Sequence, residues 1–275
     1  MMRATSLRVA RRQWRAASAS ETLGGRAVPE ETPVAFTYRG CSYAVMMATP
    51  ADCEDFAYGF SLSEGLISSA QEITAIEIRP RDEGVVVDVD LAPAALDRLW
   101  ERRRFLAGPS GCGLCGIESI GEALRAVPHV PRACCFAPEG IAAAIAALPR
   151  HQTLGRETRA VHAAALWQQS GGILARREDI GRHNALDKLI GAAVRADIAV
   201  SESILLLTSR ISVELIQKAA MAAASVVVGI SAPTALAIRT AEAAGITLIG
   251  IAREDGFEIF TEPSRIALKR AADAA

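Results

Sequence analysis

Apolar and polar positions along this chain fall into three successive patterns. In the first, segments 34–38 and 43–47 read as two strands on either side of Arg39-Gly40-Cys41-Ser42, which predicts a hairpin turn. Thr49-Pro50 then predicts a helix start, with Thr49 as cap, Pro50 in the first turn and Asp52 near the positive end. Phe56, Phe60 and Ile67 are spaced for one face of that helix, and Gly65 ends or kinks it. Segments 73–79 and 85–90 predict a second hairpin that turns through Arg81-Asp82-Glu83-Gly84. Residues 93–106 predict a helix with Leu96, Leu99 and Trp100 facing inward. This front portion reads as α+β and carries no obvious chemistry.

The pattern breaks at Gly108-Pro109-Ser110-Gly111. Beyond it, helices are expected over 117–126 and 138–148, and a hairpin of strands 160–167 and 172–177 closed by Gln168-Gln169-Ser170-Gly171. Leu186, Leu189, Ile190 and Ala193 recur at helical spacing, so a helix runs from Asn184, whose side chain suits the N-cap. In the last third, strands over 204–208, 225–230 and 246–251 alternate with helices over 212–224 and 233–244. That alternation predicts an α/β fold with a parallel sheet covered on both faces. Such units take ligands beyond the carboxyl ends of their strands, here Thr208-Ser209-Arg210, Ser231-Ala232-Pro233 and Ala252-Arg253. A strand over 257–262 and a helix over 263–272 are expected to close the chain.

Composition narrows the class. At 275 residues, 51% hydrophobic and 22% charged, the chain has room for a sizeable core in one large or two smaller domains and is not a disordered polymer. A net charge of −1 offers no overall argument for nucleic acid or a membrane surface. The charge is uneven, however: residues 1–26 carry Arg3, Arg8, Arg11, Arg12, Arg15 and Arg26 against Glu21 alone, and read as a disordered basic tail. Arg11-Arg12 resembles a twin-arginine export signal, but Gln13-Trp14-Arg15-Ala16-Ala17-Ser18 stands where its apolar region belongs. A transit peptide shares this composition. No run of about 18 apolar residues occurs, so the expectation is a cytoplasmic protein without membrane or nucleic-acid partners.

Candidate chemistry centres on Gly111-Cys112-Gly113-Leu114-Cys115-Gly116, a CxxC in a glycine-rich loop. Such a pair can be half of a zinc site, a dithiol redox couple, or a nucleophile with a helper. A structural zinc wants four ligands, and neither a second CxxC nor a suitably spaced His pair is present. The P-C-x-x-C of zinc deaminases fits poorly, because Pro109 stands too far ahead and no H-x-E precedes it. No metal is therefore expected. Flanking glycines make the loop accessible, and a thiolate there can attack sulfur while the second thiol resolves or stabilises the product. Cys41, Cys53, Cys134 and Cys135 read as small, semi-buried hydrophobes.

The second candidate is the turn before the 184 helix, where Arg182 and His183 meet a positive helix end that favours anions. Arg210 adds charge at a strand end. Glu178, Asp179, Asp187 and Lys188 read as a local salt-bridge network, and His162 as a buried structural histidine.

The block from Glu178 to Gly191, EDIGRHNALDKLIG, resembles the signature of the FdhD family of formate dehydrogenase accessory sulfurtransferases. Met46-Met47-Ala48-Thr49-Pro50, the run from Glu54 to Gly65, Cys112-Gly113-Leu114-Cys115-Gly116, His162-Ala163-Ala164-Ala165-Leu166, the run from Glu214 to Met221 and Ser231-Ala232-Pro233 resemble further family motifs in the same order. The likeness spans residues 30–268.

This resemblance implies a cytidine-deaminase-like three-layer α/β core over 108–275, a smaller N-terminal α+β subdomain over 27–107, and a homodimer. It implies sulfur transfer, as a cysteine persulfide, from a cysteine desulfurase to a bis-molybdopterin guanine dinucleotide cofactor. That cofactor is destined for the formate dehydrogenase catalytic subunit. By motif position Cys112 carries the persulfide and Cys115 is its partner. The cofactor-binding segment falls on Phe257, Glu258, Ile259, Phe260, Thr261 and Glu262. Arg182, His183 and Arg210 suit the phosphates of the guanine nucleotide moiety. A non-catalytic cofactor chaperone and a dithiol oxidoreductase are the alternatives.

Two departures stand out. Gly108-Pro109-Ser110-Gly111 replaces a more hydroxyl-rich approach to the cysteines, and Thr158-Arg159-Ala160-Val161 replaces the usual Thr-Gly-Gly. Arg159 is expected to crowd a turn built for glycine or to add charge to the cofactor pocket.

Overall fold

The computed structural model describes residues 3–106 and 126–268, with side chains throughout except at 102–106. Cys112, Cys115 and most of the helix expected over 117–126 lie outside the described residues.

The alternating segments after residue 160 build a six-stranded sheet. In chain order its strands are β7 (His162–Gln168), β8 (Gly172–Asp179), β9 (Ile204–Leu207), β10 (Val226–Gly229), β11 (Thr247–Arg253) and β12 (Gly256–Ile259). Across the sheet the order is β12-β11-β10-β9-β7-β8. The three middle strands β9, β10 and β11 are parallel, as the β-α-β-α-β alternation requires, and antiparallel strands flank them on both sides.

Successive strand residues point to opposite faces, and each face has its own core. Ala164, Leu166, Leu205, Leu207, Val227 and Leu248 pack on one side against α5 (Arg182–Arg195), α6 (Val213–Met221) and α7 (Ala235–Ala243). Their neighbours Ala165, Trp167, Ile204, Leu206, Val226 and Ile249 pack on the other against α3 (Pro138–His151). The result is three layers, helix–sheet–helix.

A second sheet precedes it: β3 (Thr32–Tyr38), β4 (Cys41–Ala48), β5 (Ile73–Pro80) and β6 (Val85–Leu91), in spatial order β4-β3-β6-β5. Arg39 and Gly40 turn the first hairpin with φ of 51° and 74°, the left-handed pair a two-residue loop needs. Helices α1 (Cys53–Ser63) and α2 (Pro93–Leu106) complete this unit. Its core is aromatic, with Phe36 against Phe56 and Phe60 at ring separations of 4.9 Å. Trp100, expected inside, is 38% exposed, whereas Leu99 is buried.

α1 joins the two units. Phe56 and Phe60 face the small sheet, while Gly59 lies against Gly191 of α5 so closely that backbones touch. Beneath this crossing sit two buried ion pairs, Lys188 with Asp179 at 2.6 Å and Lys218 with Asp187 at 3.0 Å. Asp179, Asp187 and Lys188, expected in a local salt-bridge network, are thus paired inside the protein, Asp187 with the distant Lys218.

Other expectations need correcting. Residues 1–26, read as a disordered tail, instead supply most of a hairpin of β1 (Ser6–Arg15) and β2 (Ser20–Pro29). It is tied to the body by Arg26 donating to the Thr158 carbonyl at 3.0 Å, and by Ser6 donating to Glu157 at 3.0 Å. A short helix without an amphipathic repeat, α4 (Thr153–Thr158), was not legible. Helix α1 begins at Cys53 and not at Thr49, because Thr49 is spent on tertiary bonds. The segment after residue 262 forms one 3₁₀ turn, Pro263–Arg265, where a helix to 272 was expected; residues 269–275 lie outside the described residues. Among the described residues no helix is long and apolar enough to cross a membrane.

Candidate functional site

Asp179, at the end of β8, organises the candidate site. Its carboxylate accepts from the Thr49 amide (3.0 Å), Lys188 Nζ (2.6 Å), the Gly181 amide (2.8 Å) and Asn184 Nδ2 (3.0 Å). Asn184 is consequently not the N-cap. Gly181 is, and Asn184 lies inside α5, donating also to the Met47 carbonyl at 2.8 Å. The internal carboxylate serves the amide of the cap residue Gly181, and the pair of side chains that follows is what this turn presents.

Those side chains are Arg182 and His183, and they meet the start of α6. His183 Nε2 stands 3.9 Å from Glu214 Oε2. This is too long for a direct hydrogen bond. His183 Nε2, Glu214 Oε2 and Arg182 Nε are all shielded from solvent and have no hydrogen-bond partner among the described residues. Buried polar atoms normally find partners, so three together with none among the described residues mark this cluster as the candidate site.

Burial, reinforced by the positive charges of Arg182 and Lys218, pushes His183 down to about 4, so the ring is neutral at pH 7. Burial works to raise the Glu214 carboxyl, but the neighbouring Ser212 hydroxyl, the amide at its own helix start and Arg182 outweigh it and hold it below its ordinary range. The cluster therefore combines a fixed cation, a neutral imidazole and a carboxylate.

Lys218 supports it from below, donating to Ser63 (2.9 Å), Glu64 (3.1 Å) and Asp187 (3.0 Å). Burial opposes its charge, yet Asp187 and Glu64 outweigh burial and keep the ammonium protonated above its usual range. His162 opens β7 beside this edge and is half-buried; burial and then Arg182 lower it, against Asp179.

The remaining candidates fall elsewhere. Arg210 is exposed just beyond β9, at the same end of the sheet. The segment Phe257–Glu262 belongs to β12 and its exit, at the opposite edge from β8. With about 4.8 Å between strands, four strand spacings separate β12 from β7 by roughly 19 Å.

Nor are the six residues equally available. Thr261 is buried, its hydroxyl donating to the Ile246 carbonyl at 2.6 Å and accepting from the Leu248 amide at 3.0 Å. Phe260 covers Gly250, and Phe257 and Ile259 pack on the core under the sheet. Glu258 is exposed, and Glu262 holds φ of 45°. The structure therefore assembles Arg182 and His183 with Glu214, which sequence reasoning had not singled out. Its signal was the serine-to-glutamate helix start Ser212-Val213-Glu214.

Comparison with known proteins agrees with this architecture. Residues 29–267 match the model of the FdhD/NarQ family. Proteins named sulfur carrier protein FdhD are similar to this chain in Agrobacterium fabrum (56% identity over 246 residues, 89% of this chain and 91% of the relative) and Brucella abortus (51% over 242 residues, 88% and 90%). A third from Cupriavidus necator shares 47% over 239 residues, 87% of this chain and 83% of the relative. A crystal structure described as that of a formate dehydrogenase accessory protein from Desulfotalea psychrophila superposes with a TM-score of 0.75 at 25% identity, covering 96% of this chain and all of the other. The chain belongs to the FdhD/NarQ family.

Proposed function

We propose that this protein is a sulfurtransferase that carries sulfur from a cysteine desulfurase to a bis-molybdopterin guanine dinucleotide cofactor during formate dehydrogenase maturation. The observation that carries this reading is the match over 29–267 to a family whose similar members are named sulfur carriers, in a chain that holds a CxxC at Cys112 and Cys115.

In this reading the Cys112 thiolate attacks the terminal sulfur of the desulfurase persulfide. A new S–S bond forms on Cys112, the donor's S–S bond breaks, and the donor cysteine leaves as thiolate. Cys115 stands three residues on to assist release. Arg182, His183 and Glu214 recognise a polar group of the incoming cofactor, and their unpartnered inward atoms support that role. Arg210 extends positive charge along the same sheet edge toward the cofactor phosphates. The segment Phe257–Glu262 contacts the cofactor at the far edge through its exposed members. We read the three-layer unit as the family's cytidine-deaminase-like core, and the protein as a cytoplasmic homodimer that meets both desulfurase and formate dehydrogenase.

The test is intact-mass analysis after incubation with a cysteine desulfurase and free cysteine. Wild type gains about one sulfur atom, lost on reduction, and Cys112→Ala gains none. If Cys112→Ala still matures formate dehydrogenase in a strain lacking its own accessory protein, sulfur carriage by this cysteine is refuted. The protein would then act as a cofactor chaperone.

A further inference from the structure

The arginines of the N-terminal hairpin play no part in the cluster above. Arg8, Arg11, Arg15 and Arg26 from β1 and β2 join Arg156 and Arg159 from the end of α4 around one open groove of about 520 Å³. A second cavity of about 280 Å³ adjoins it, sharing Arg156 and Arg159.

The groove is electrostatically unmet. Its one carboxylate, Glu157, accepts from the Ser6 hydroxyl, and among the described residues none of the six arginines forms an ion pair. Arg26 and Arg156 donate to the carbonyls of Thr158 (3.0 Å) and Arg150 (2.7 Å), and Arg11 to Gln13. The side chains of Arg8, Arg15 and Arg159 have no hydrogen-bond partner among the described residues. Like charges crowded this way repel, and an anion between them relieves the repulsion.

Two backbone features keep the arginines in place. Arg159 holds φ of 58°, a conformation open to glycine and unfavourable for arginine. Gly25 leaves room for Arg8: a Cβ there would stand 2.6 Å from its Nε. The start of α4 is not the attraction, because Glu178 already accepts from the amides of Leu154 (3.0 Å) and Gly155 (2.7 Å).

We propose that this groove binds a small phosphoanhydride anion of the pyrophosphate type. Guanidinium forks match phosphoryl oxygens, and five excess positive charges call for a multiply charged ligand and not a monoanion. Among the described residues no aromatic ring lines the groove to stack a base, which favours a compact polyanion over nucleic acid. Four of the six arginines precede residue 29, where the match to the family model begins. The site does not rest on the sulfur-transfer reading.

The experiment is calorimetric titration of the full-length protein with inorganic pyrophosphate, with GDP in a parallel arm. Wild type is expected to bind pyrophosphate at one saturable site, more weakly as salt is raised. Arg159→Gly weakens it about tenfold, the loss of one charge-assisted hydrogen bond, without lowering thermal stability because glycine relieves the backbone. Arg15→Glu weakens it further, whereas Arg12→Gln, at a residue paired with Glu21 outside the groove, leaves it unchanged.

GDP affinity that falls with the same variants assigns the groove to the phosphoanhydride of a larger molecule. GDP affinity that ignores them assigns it to free pyrophosphate. No pyrophosphate binding by wild type, or equal affinity in wild type, Arg159→Gly and Arg15→Glu, overturns the proposal. Cys112→Ala is expected to bind pyrophosphate as wild type does, so failure here and failure of sulfur carriage are distinguishable.

Discussion

Replacing Gly59 by alanine tests the crossing that holds the two units together. A Cβ at Gly59 would stand 1.7 Å from the Asp187 carbonyl oxygen, and one at Gly191 would stand 1.8 Å from that of Asp55. An ordinary carbon–oxygen contact is near 3.5 Å, so α1 and α5 would have to part by about 1.8 Å. Opening them by that much pulls apart the Ser63–Asp187 bond across the interface and strains Lys218 of α6, which donates to both Ser63 and Asp187.

Helix propensity favours alanine by about 1 kcal/mol. Overpacking costs about 1–3 kcal/mol, and a loosened buried ion pair adds several more. The net expectation is a loss of about 3–5 kcal/mol, or roughly 5–9 °C in Tm for a protein of this size. Thermal and urea unfolding followed by circular dichroism measure it. Since α5 begins at Arg182, the same variant is also expected to weaken whatever ligand that cluster takes. A Gly59→Ala protein as stable as wild type, or more so, refutes the argument. The sign would then be that of an exposed helical glycine, and the helices could not be in backbone contact.

Two further outcomes follow from the buried charges. Lys218→Met leaves buried Asp187 without its cation and is expected to cost about 3–5 kcal/mol by urea unfolding. Adding Asp187→Leu recovers part of that, and no recovery would mean that the pair is not coupled. His183, held near 4 when folded against about 6.5 when unfolded, is neutral in the folded state while the unfolded chain takes up its proton first. Its contribution is therefore complete above pH 6.5 and lost as pH falls toward 4. The full difference is worth about 3 kcal/mol, reduced to about 1–2 by the exposed third of the side chain. His183→Gln should flatten stability over that window, and an unchanged pH profile would contradict the burial of the ring.

What the sequence revealed and what it hid divide along a physical line. Short apolar runs alternating with amphipathic stretches dictated β9 to β11 and their helices, because each strand had to be buried on both faces. The N-terminal hairpin escaped notice because its signals conflict: arginine every few residues and no apolar face read as a tail, yet strands can be held from outside, here by Thr158 and Glu157. Thr49 and Asn184 were read as helix caps because their side chains can bond the nearest amides. In the folded chain both bond across the gap between β4, β8 and α5, a choice made by tertiary contacts that no local window contains.

The buried pairs escaped for the same reason. Asp179 and Lys188 are nine residues apart and read as part of a local salt-bridge network, but Thr49, 130 residues before Asp179, bonds to both of them. Helix α5 is thus fixed on one side by Gly59 and on the other by Asp179, with its first two side chains left over. Arg182 Nε and His183 Nε2 are left without hydrogen-bond partners among the described residues, because the residues around them are committed to holding the helix. That commitment lets the cluster stay preorganised for a ligand without closing on itself.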